Sequence, residues 1–159
     1  MIGIVVAIRE ELTEFFSNNE FIKHTEDHEN HSVYTSHLMP DVVVIESGMG
    51  KTNAINATNK LIELYKPNLL ISAGFAGAVK KRIEPGTSYI CNNLWGIPGS
   101  PAFWSTENAE KMYAIDENRA MNLNKVINES GSVIQLGSCM TVDQFIYNND
   151  LKSWVGDTF

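Results

Sequence analysis

Residues 41–52, DVVVIESGMGKT, decide the fold class. The aspartate is followed by four β-branched residues with no polar alternation, as expected of a strand covered on both faces. Ser47, Gly48, Met49 and Gly50 break that run. Residues 52–65 then carry Ala54, Ile55, Thr58, Leu61, Ile62 and Tyr65 at helical spacing, and Pro67 stops the pattern. A buried strand thus passes through a glycine loop into a helix. The same order recurs on either side.

Upstream, residues 1–8 (MIGIVVAI) form another short apolar run, and residues 9–16 read as a helix with Leu12, Phe15 and Phe16 on one side. Glu10 and Glu11 lie in its first turn, where the helix dipole favours carboxylates. Residues 21–38 are polar and His-rich and read as a hairpin on a sheet edge, turning near Glu29 and Asn30. Downstream, residues 69–73 (LLISA) predict a third buried strand running into Gly74-Phe75-Ala76-Gly77. A strand at 87–91, a loop-like stretch at 92–117, a helix at 118–128, a strand at 132–137 and a short helix within 147–159 complete the order. Strands alternating with helices predict an α/β class with a largely parallel sheet.

Composition excludes several functions. The 159 residues suit one domain. At 43% hydrophobic and 19% charged the chain reads as globular. A net charge of −7 argues against non-specific nucleic-acid binding, which requires a basic face to displace phosphate counterions. The first eight residues lack a basic region before their apolar run and are far short of the ~18 apolar residues a spanning helix needs. The expectation is therefore a cytoplasmic protein with no membrane segment. Cys91 and Cys139 are distant in sequence and outside any C-x-x-C pair, so neither a disulfide framework nor structural zinc is expected.

Ligands of open parallel sheets sit outside the carboxyl ends of the strands. Residues 9–11, 47–51, 74–77 and 141–146 all fall at such ends, and that convergence points to a small-molecule site. Taken singly, each has a plainer reading. Residues 47–52 resemble the end of a phosphate-binding P-loop, but Ile45 stands where the motif needs glycine, leaving a tight turn or a pocket-lining loop. Gly74 and Gly77 permit close backbone approach or merely packing. Glu11 is either a general base or a carboxylate on a helix dipole. His24, His28, His31 and His37, among Glu26, Asp27 and Glu29, read as a solvated face before a metal site. Cys139 reads as a small buried residue without a paired base. Trp95, Phe103, Trp104 and Tyr113 either cover a planar base or fill an interface.

Together the motifs resemble the nucleoside phosphorylase/nucleosidase superfamily, and within it the methylthioadenosine/S-adenosylhomocysteine nucleosidases. The family's G-I-x-x-A-x-x-E-E is matched by Gly3, Ile4, Ala7, Glu10 and Glu11, and its S-G-x-G-K by Ser47 to Lys51. Its K-P-x-x-x-I-x-x-G-x-A-G-G is matched by Lys66, Pro67, Ile71, Gly74, Ala76 and Gly77, with Ala78 at the last position. Its S-G-D-x-F-I corresponds to Thr141, Val142, Asp143, Gln144, Phe145 and Ile146. The register runs without gaps to about Gly86 and then requires a shortened loop.

The resemblance implies a single three-layer αβα domain over 1–159, built on a central mixed, largely parallel sheet. It implies hydrolysis of the N-glycosidic bond of a purine nucleoside, with Glu11 activating water. Met49, Phe75, Ala76, Gly77, Phe145 and Ile146 would bind the substrate. Met49 would line the 5′-substituent, Phe145 would stack on the purine, and the Ile146 backbone would read the base edge. No metal or cofactor is implied, and the family commonly forms homodimers. Related phosphorylases place an arginine at the position of Ser72, and even nucleosidases often carry serine at Phe75, so water is the expected nucleophile rather than phosphate. The family's ribose-binding glutamate and the aspartate that protonates the purine would follow Phe159, so the domain is expected to be incomplete at its C-terminus. A catalytically silent nucleoside-binding or interaction protein on the same scaffold is the alternative, with a phosphate-dependent phosphorylase behind it.

Overall fold

The apolar runs become strands, and the computed structural model describes residues 1–24 and 31–158. The chain divides into two compact units, Met1–Ala76 and Gly77–Phe159.

The first unit is a five-stranded mixed sheet in the order β2-β3-β4-β1-β5. Its strands are β1 (Ile2–Val6), β2 (Ile22–His24), β3 (Ser32–Thr35), β4 (Val42–Glu46) and β5 (Leu69–Ser72). β1 pairs in parallel with both β4 and β5, while β3 runs antiparallel to β2 and β4. Side chains on a strand alternate between faces, and both faces are covered here. Ile4, Val6, Tyr34, Val42 and Val44 pack with Phe16 and Phe21. Val5, Val33, Val43 and Ile45 pack with Ala57 and Leu61 of α2 (Lys51–Tyr65). A short 3-10 helix, Arg9–Leu12, leads into α1 (Thr13–Asn18), and Leu12, Phe15 and Phe16 face the sheet as their spacing predicts. The unit is thus α1, sheet and α2 in three layers.

Gly3 lets α2 approach: a Cβ there would lie 2.8 Å from Leu61 Cδ2. Lys66 ends α2 in the left-handed region (φ 46°), its N–H donating to the Ile62 carbonyl at 3.0 Å ahead of Pro67.

Two expectations for this unit require correction. β5 forms where predicted but is not buried: Leu69, Leu70 and Ile71 are all exposed, because β5 is the edge of the sheet and pairs only with β1 among the described residues. On α2 the buried residues are Ala57 and Leu61, while Ile55 and Ile62 of the expected apolar stripe are exposed. The predicted hairpin exists as β2 and β3, but its turn at Glu29 and Asn30, with His28, lies outside the described residues.

In the second unit β6 (Ser88–Ile97) is the centre of a three-stranded sheet, antiparallel to β7 (Glu110–Ala114) and parallel to β8 (Ile134–Val142). The crossover to β8 contains α3 (Glu117–Glu129), and α4 (Asn149–Thr158) follows β8. Ile97, Trp104 and Val155 are buried together, with Val79, Met140, Val142, Ile146 and Leu151 packed against them. Residues 92–117 are not the loop their composition suggests. The last six residues of β6, two short 3-10 helices (Pro101–Phe103 and Thr106–Asn108) and β7 lie within them. Trp104 is only 5% exposed, so it is a core residue rather than a cover for a ligand.

Candidate functional site

The parallel pairing of β1 with β4 and β5 brings three carboxyl ends together in the first unit. The turn after β1 carries Glu11. It occupies the third position of the short 3-10 helix, from which a glutamate side chain reaches back to the helix start. Its Oε2 accepts from the N–H of Ala7 at 2.9 Å and of Ile8 at 3.4 Å. Its Oε1 accepts from the N–H of Phe75, beyond the end of β5, at 3.0 Å. A Cβ on Gly74 would fall 2.7 Å from that same Oε1, so glycine is what lets the carboxylate lie against the backbone there. Each carboxylate oxygen has two acceptor sites, and these contacts leave capacity to accept a proton from water. Glu11 therefore both caps its own turn and reaches Gly74 and Phe75 beyond β5.

Ser47 and Gly48 extend the β1–β4 ladder rather than open a phosphate cradle. The Ser47 N–H donates to the Val6 carbonyl at 2.8 Å and the Gly48 N–H to that of Ala7 at 2.9 Å. The Ser47 hydroxyl is buried, 2.8 Å from the Gly48 carbonyl and 3.1 Å from that of Val6. A P-loop needs those N–H groups free for the anion, so that resemblance ends here. Gly48 (φ 79°) and Gly50 (φ 99°) make the turn that starts α2 and leave Met49 76% exposed. Phe75 is 78% exposed and Ala76 is exposed beside it.

A second carboxylate at these ends escaped the sequence reading, which stopped its strand at Ile45. Glu46 accepts from the Tyr34 hydroxyl at 2.8 Å and from the Arg9 N–H at 3.2 Å. The Arg9 guanidinium sits 5.6 Å from the Phe16 ring centre and 5.8 Å from that of Tyr34. Burial, and then the Glu46 carboxylate, raise the Tyr34 pKa above the usual phenol value. Glu46 thereby ties the turn carrying Glu11 to β3 and β4. Its signal was one polar residue at the end of an apolar strand.

In the second unit, Gly77 is exposed, and a Cβ added to it would touch nothing within 4 Å. Phe145 and Ile146 follow β8 and point apart: Phe145 is 87% exposed, while Ile146 packs on the core. Asp143 accepts from the Gly99 N–H at 2.8 Å, and Trp104 Nε1 donates to the Gly99 carbonyl at 3.0 Å. Asp143 thus holds the turn after β6.

The histidines divide. His24 and His37 are exposed, next to Thr35 and Glu20 respectively, as a solvated face requires. His31 departs from that reading: it is 6% exposed, and its Nδ1 has no partner among the described residues. No cluster of metal-ligating side chains occurs among the described residues. Nor is any helix there long and apolar enough to cross a membrane.

Residues 1–155 match the sequence profile of the Phosphorylase superfamily. The chain belongs to the phosphorylase superfamily. Within it, the chain is 33% identical over 96 residues to the 5′-methylthioadenosine/S-adenosylhomocysteine nucleosidase of Staphylococcus aureus strain MRSA252, a match covering 59% of this chain. The matched stretch spans 41% of that curated relative, less than half its length. Among solved structures of such folds, the chain is similar to the Helicobacter pylori nucleosidase bound to butyl-thio-DADMe-Immucillin-A, with TM-score 0.79 and 20% identity. It is also similar to the native futalosine hydrolase of the same organism, with TM-score 0.78 and 21% identity. Each covers 99% of this chain, which covers 71% and 73% of theirs. At these identities the likeness is one of fold, and it places this superfamily member in the expected α/β class.

Proposed function

We propose that the chain carries the water-activating part of a purine nucleoside N-ribosyl hydrolase acting on methylthioadenosine or S-adenosylhomocysteine, with Glu11 as general base. The observation that carries this reading is the Glu11 carboxylate, held at the carboxyl ends of parallel strands by the N–H groups of Ala7, Ile8 and Phe75. Cleavage of the glycosidic bond builds positive charge on the ribose, and a fixed carboxylate both favours that charge and takes a proton from the attacking water. Exposed Met49 offers a flexible thioether to an alkylthio tail. Exposed Phe145 carries the ring proposed to stack on the purine, and the Ile146 main chain the groups proposed to read its edge. Ala76 and Gly77 lie in the loop proposed to face the ribose and the water. Ser72 stands where related phosphorylases place an arginine, and Phe75 brings no hydroxyl to the loop, which favours water over phosphorolysis. A cytoplasmic homodimer accompanies this reading, and light scattering on the purified protein would return twice the chain mass.

The test is purine release by the protein expressed from its native gene, given methylthioadenosine, S-adenosylhomocysteine and futalosine in turn. Futalosine is included because a futalosine hydrolase shares the fold. Base release without phosphate, reduced about 10²–10⁴-fold in Glu11→Gln, is expected. Binding of these nucleosides without base release would favour the silent nucleoside-binding alternative.

A further inference from the structure

The two cysteines, distant in sequence, meet in the second unit. β6 and β8 run in parallel with Cys91 opposite Gly137 and Leu94 opposite Cys139. Gly137 and Cys139, two apart on β8, point to one face, and Cys91 shares that face through its register with Gly137. Side chains on β6 lean along the diagonal toward the residue two ahead on β8. Tyr89, opposite Gln135, places its Cδ1 2.7 Å from where a Gly137 Cβ would stand. The same diagonal one step on takes Cys91 to Cys139, and the two side chains lie close enough to perturb each other's protonation.

Two further features make the pair reactive rather than inert. The ladder is already broken beside it, where the register shifts between Cys91 and Asn93, so the backbone can give at that point. Access is also open, since Cys91 is exposed and Cys139 half-buried. The Cys91 side chain first, and the Met140 backbone after it, both favour the charged form of Cys139. Against the opposing effect of burial, these hold the Cys139 pKa down to about 6 while that of Cys91 is raised. One sulfur is then a thiolate near neutral pH, with a protonated partner in reach, which is the arrangement of a redox-responsive thiol beside a resolving one.

We propose that Cys91 and Cys139 form a peroxide-sensitive dithiol that closes to an intramolecular disulfide between β6 and β8. The Cys139 thiolate attacks one oxygen of a hydroperoxide. The O–O bond breaks, hydroxide leaves and takes up a proton, and Cys139 becomes a sulfenic acid. The Cys91 sulfur then attacks the sulfenic sulfur. The S–O bond breaks, the S–S bond forms, and the departing hydroxide leaves as water with the Cys91 proton. Two thiols and one hydrogen peroxide give one disulfide and two waters, with the sulfurs oxidised and the peroxide oxygens reduced.

The reduced full chain would be treated with about a tenfold excess of hydrogen peroxide, alkylated and mapped by mass spectrometry. Loss of both alkylation sites, a mass lower by two hydrogen atoms, one peptide pair joined through Cys91 and Cys139, and reversal by dithiothreitol are expected. In Cys91→Ala the same treatment leaves a sulfenic acid on Cys139 that dimedone traps. A readout independent of any variant is the pH dependence of alkylation of the native protein, in which one thiol reacts with a midpoint near pH 6. Full alkylation of both cysteines after peroxide would overturn the proposal. So would disulfides found only between chains, or sulfinic acid on one cysteine with the other still free.

Discussion

Gly74→Ala isolates the placement of Glu11 from the chemistry of its carboxylate. Gly74 lies outside the left-handed region, so its backbone accepts alanine and the effect is purely steric. The new Cβ would stand 2.7 Å from Glu11 Oε1 and 2.9 Å from both Cδ and Oε2. An ordinary contact begins near 3.4 Å, so the carboxylate must retreat by about 0.7 Å. That retreat stretches the 3.0 Å bond from the Phe75 N–H beyond hydrogen-bonding range. Loss of one hydrogen bond to a charged group costs about 1.5–3 kcal/mol at most, less at so exposed a site. A misplacement of about 1 Å costs catalysis on the order of 10²-fold. The expected outcome is therefore a fall of about 10² in kcat for purine release, with an unfolding free energy lowered by under about 2 kcal/mol. Steady-state kinetics and urea unfolding on the same preparation separate the two. A variant that keeps wild-type kcat would refute the reasoning, because Glu11 could then move without consequence.

Other expected outcomes follow from the same geometry. Glu46→Ala removes the acceptor of the Tyr34 hydroxyl and the Arg9 N–H and should lower unfolding free energy by about 1–3 kcal/mol in urea, with Glu46→Gln recovering part. The Tyr34 pKa is raised by burial and then by Glu46, so the folded state holds that proton more tightly than the unfolded chain. Its contribution is fully present below the ordinary phenol value of 10.0 and is lost as pH rises through the raised one, so Tyr34→Phe should flatten the alkaline limb of stability against pH. Gly156→Ala drives a Cβ into the Val79 carbonyl, a backbone atom that cannot rotate aside, and should cost about 1–3 kcal/mol by thermal unfolding.

What the sequence made legible follows from how local each signal is. β1 and β4 are short runs dominated by β-branched residues, and such runs read as buried strands without knowledge of their neighbours. The place of Glu11 was legible for a similar reason, because a residue just past such a strand falls at the carboxyl end of the sheet. Its bond from Phe75 was not, since that depends on β5 lying beside β1. Burial failed wherever it depends on position in the sheet: Leu69 to Ile71 are apolar enough for a core, yet the strand order puts them at an edge. Trp104 failed in the opposite sense, because its glycine- and proline-rich surroundings concealed a residue packed against α4. The Cys91–Cys139 contact arises only from the β6–β8 register, which no spacing reveals.

The most direct test of the central claim is purine release from methylthioadenosine by the native gene product in phosphate-free, oxygen-18-labelled water. Hydrolysis with Glu11 as base predicts labelled free sugar, turnover that added phosphate leaves unchanged, and loss of about 10²–10⁴-fold in Glu11→Gln. Turnover that requires phosphate, or that survives Glu11→Gln intact, would contradict it.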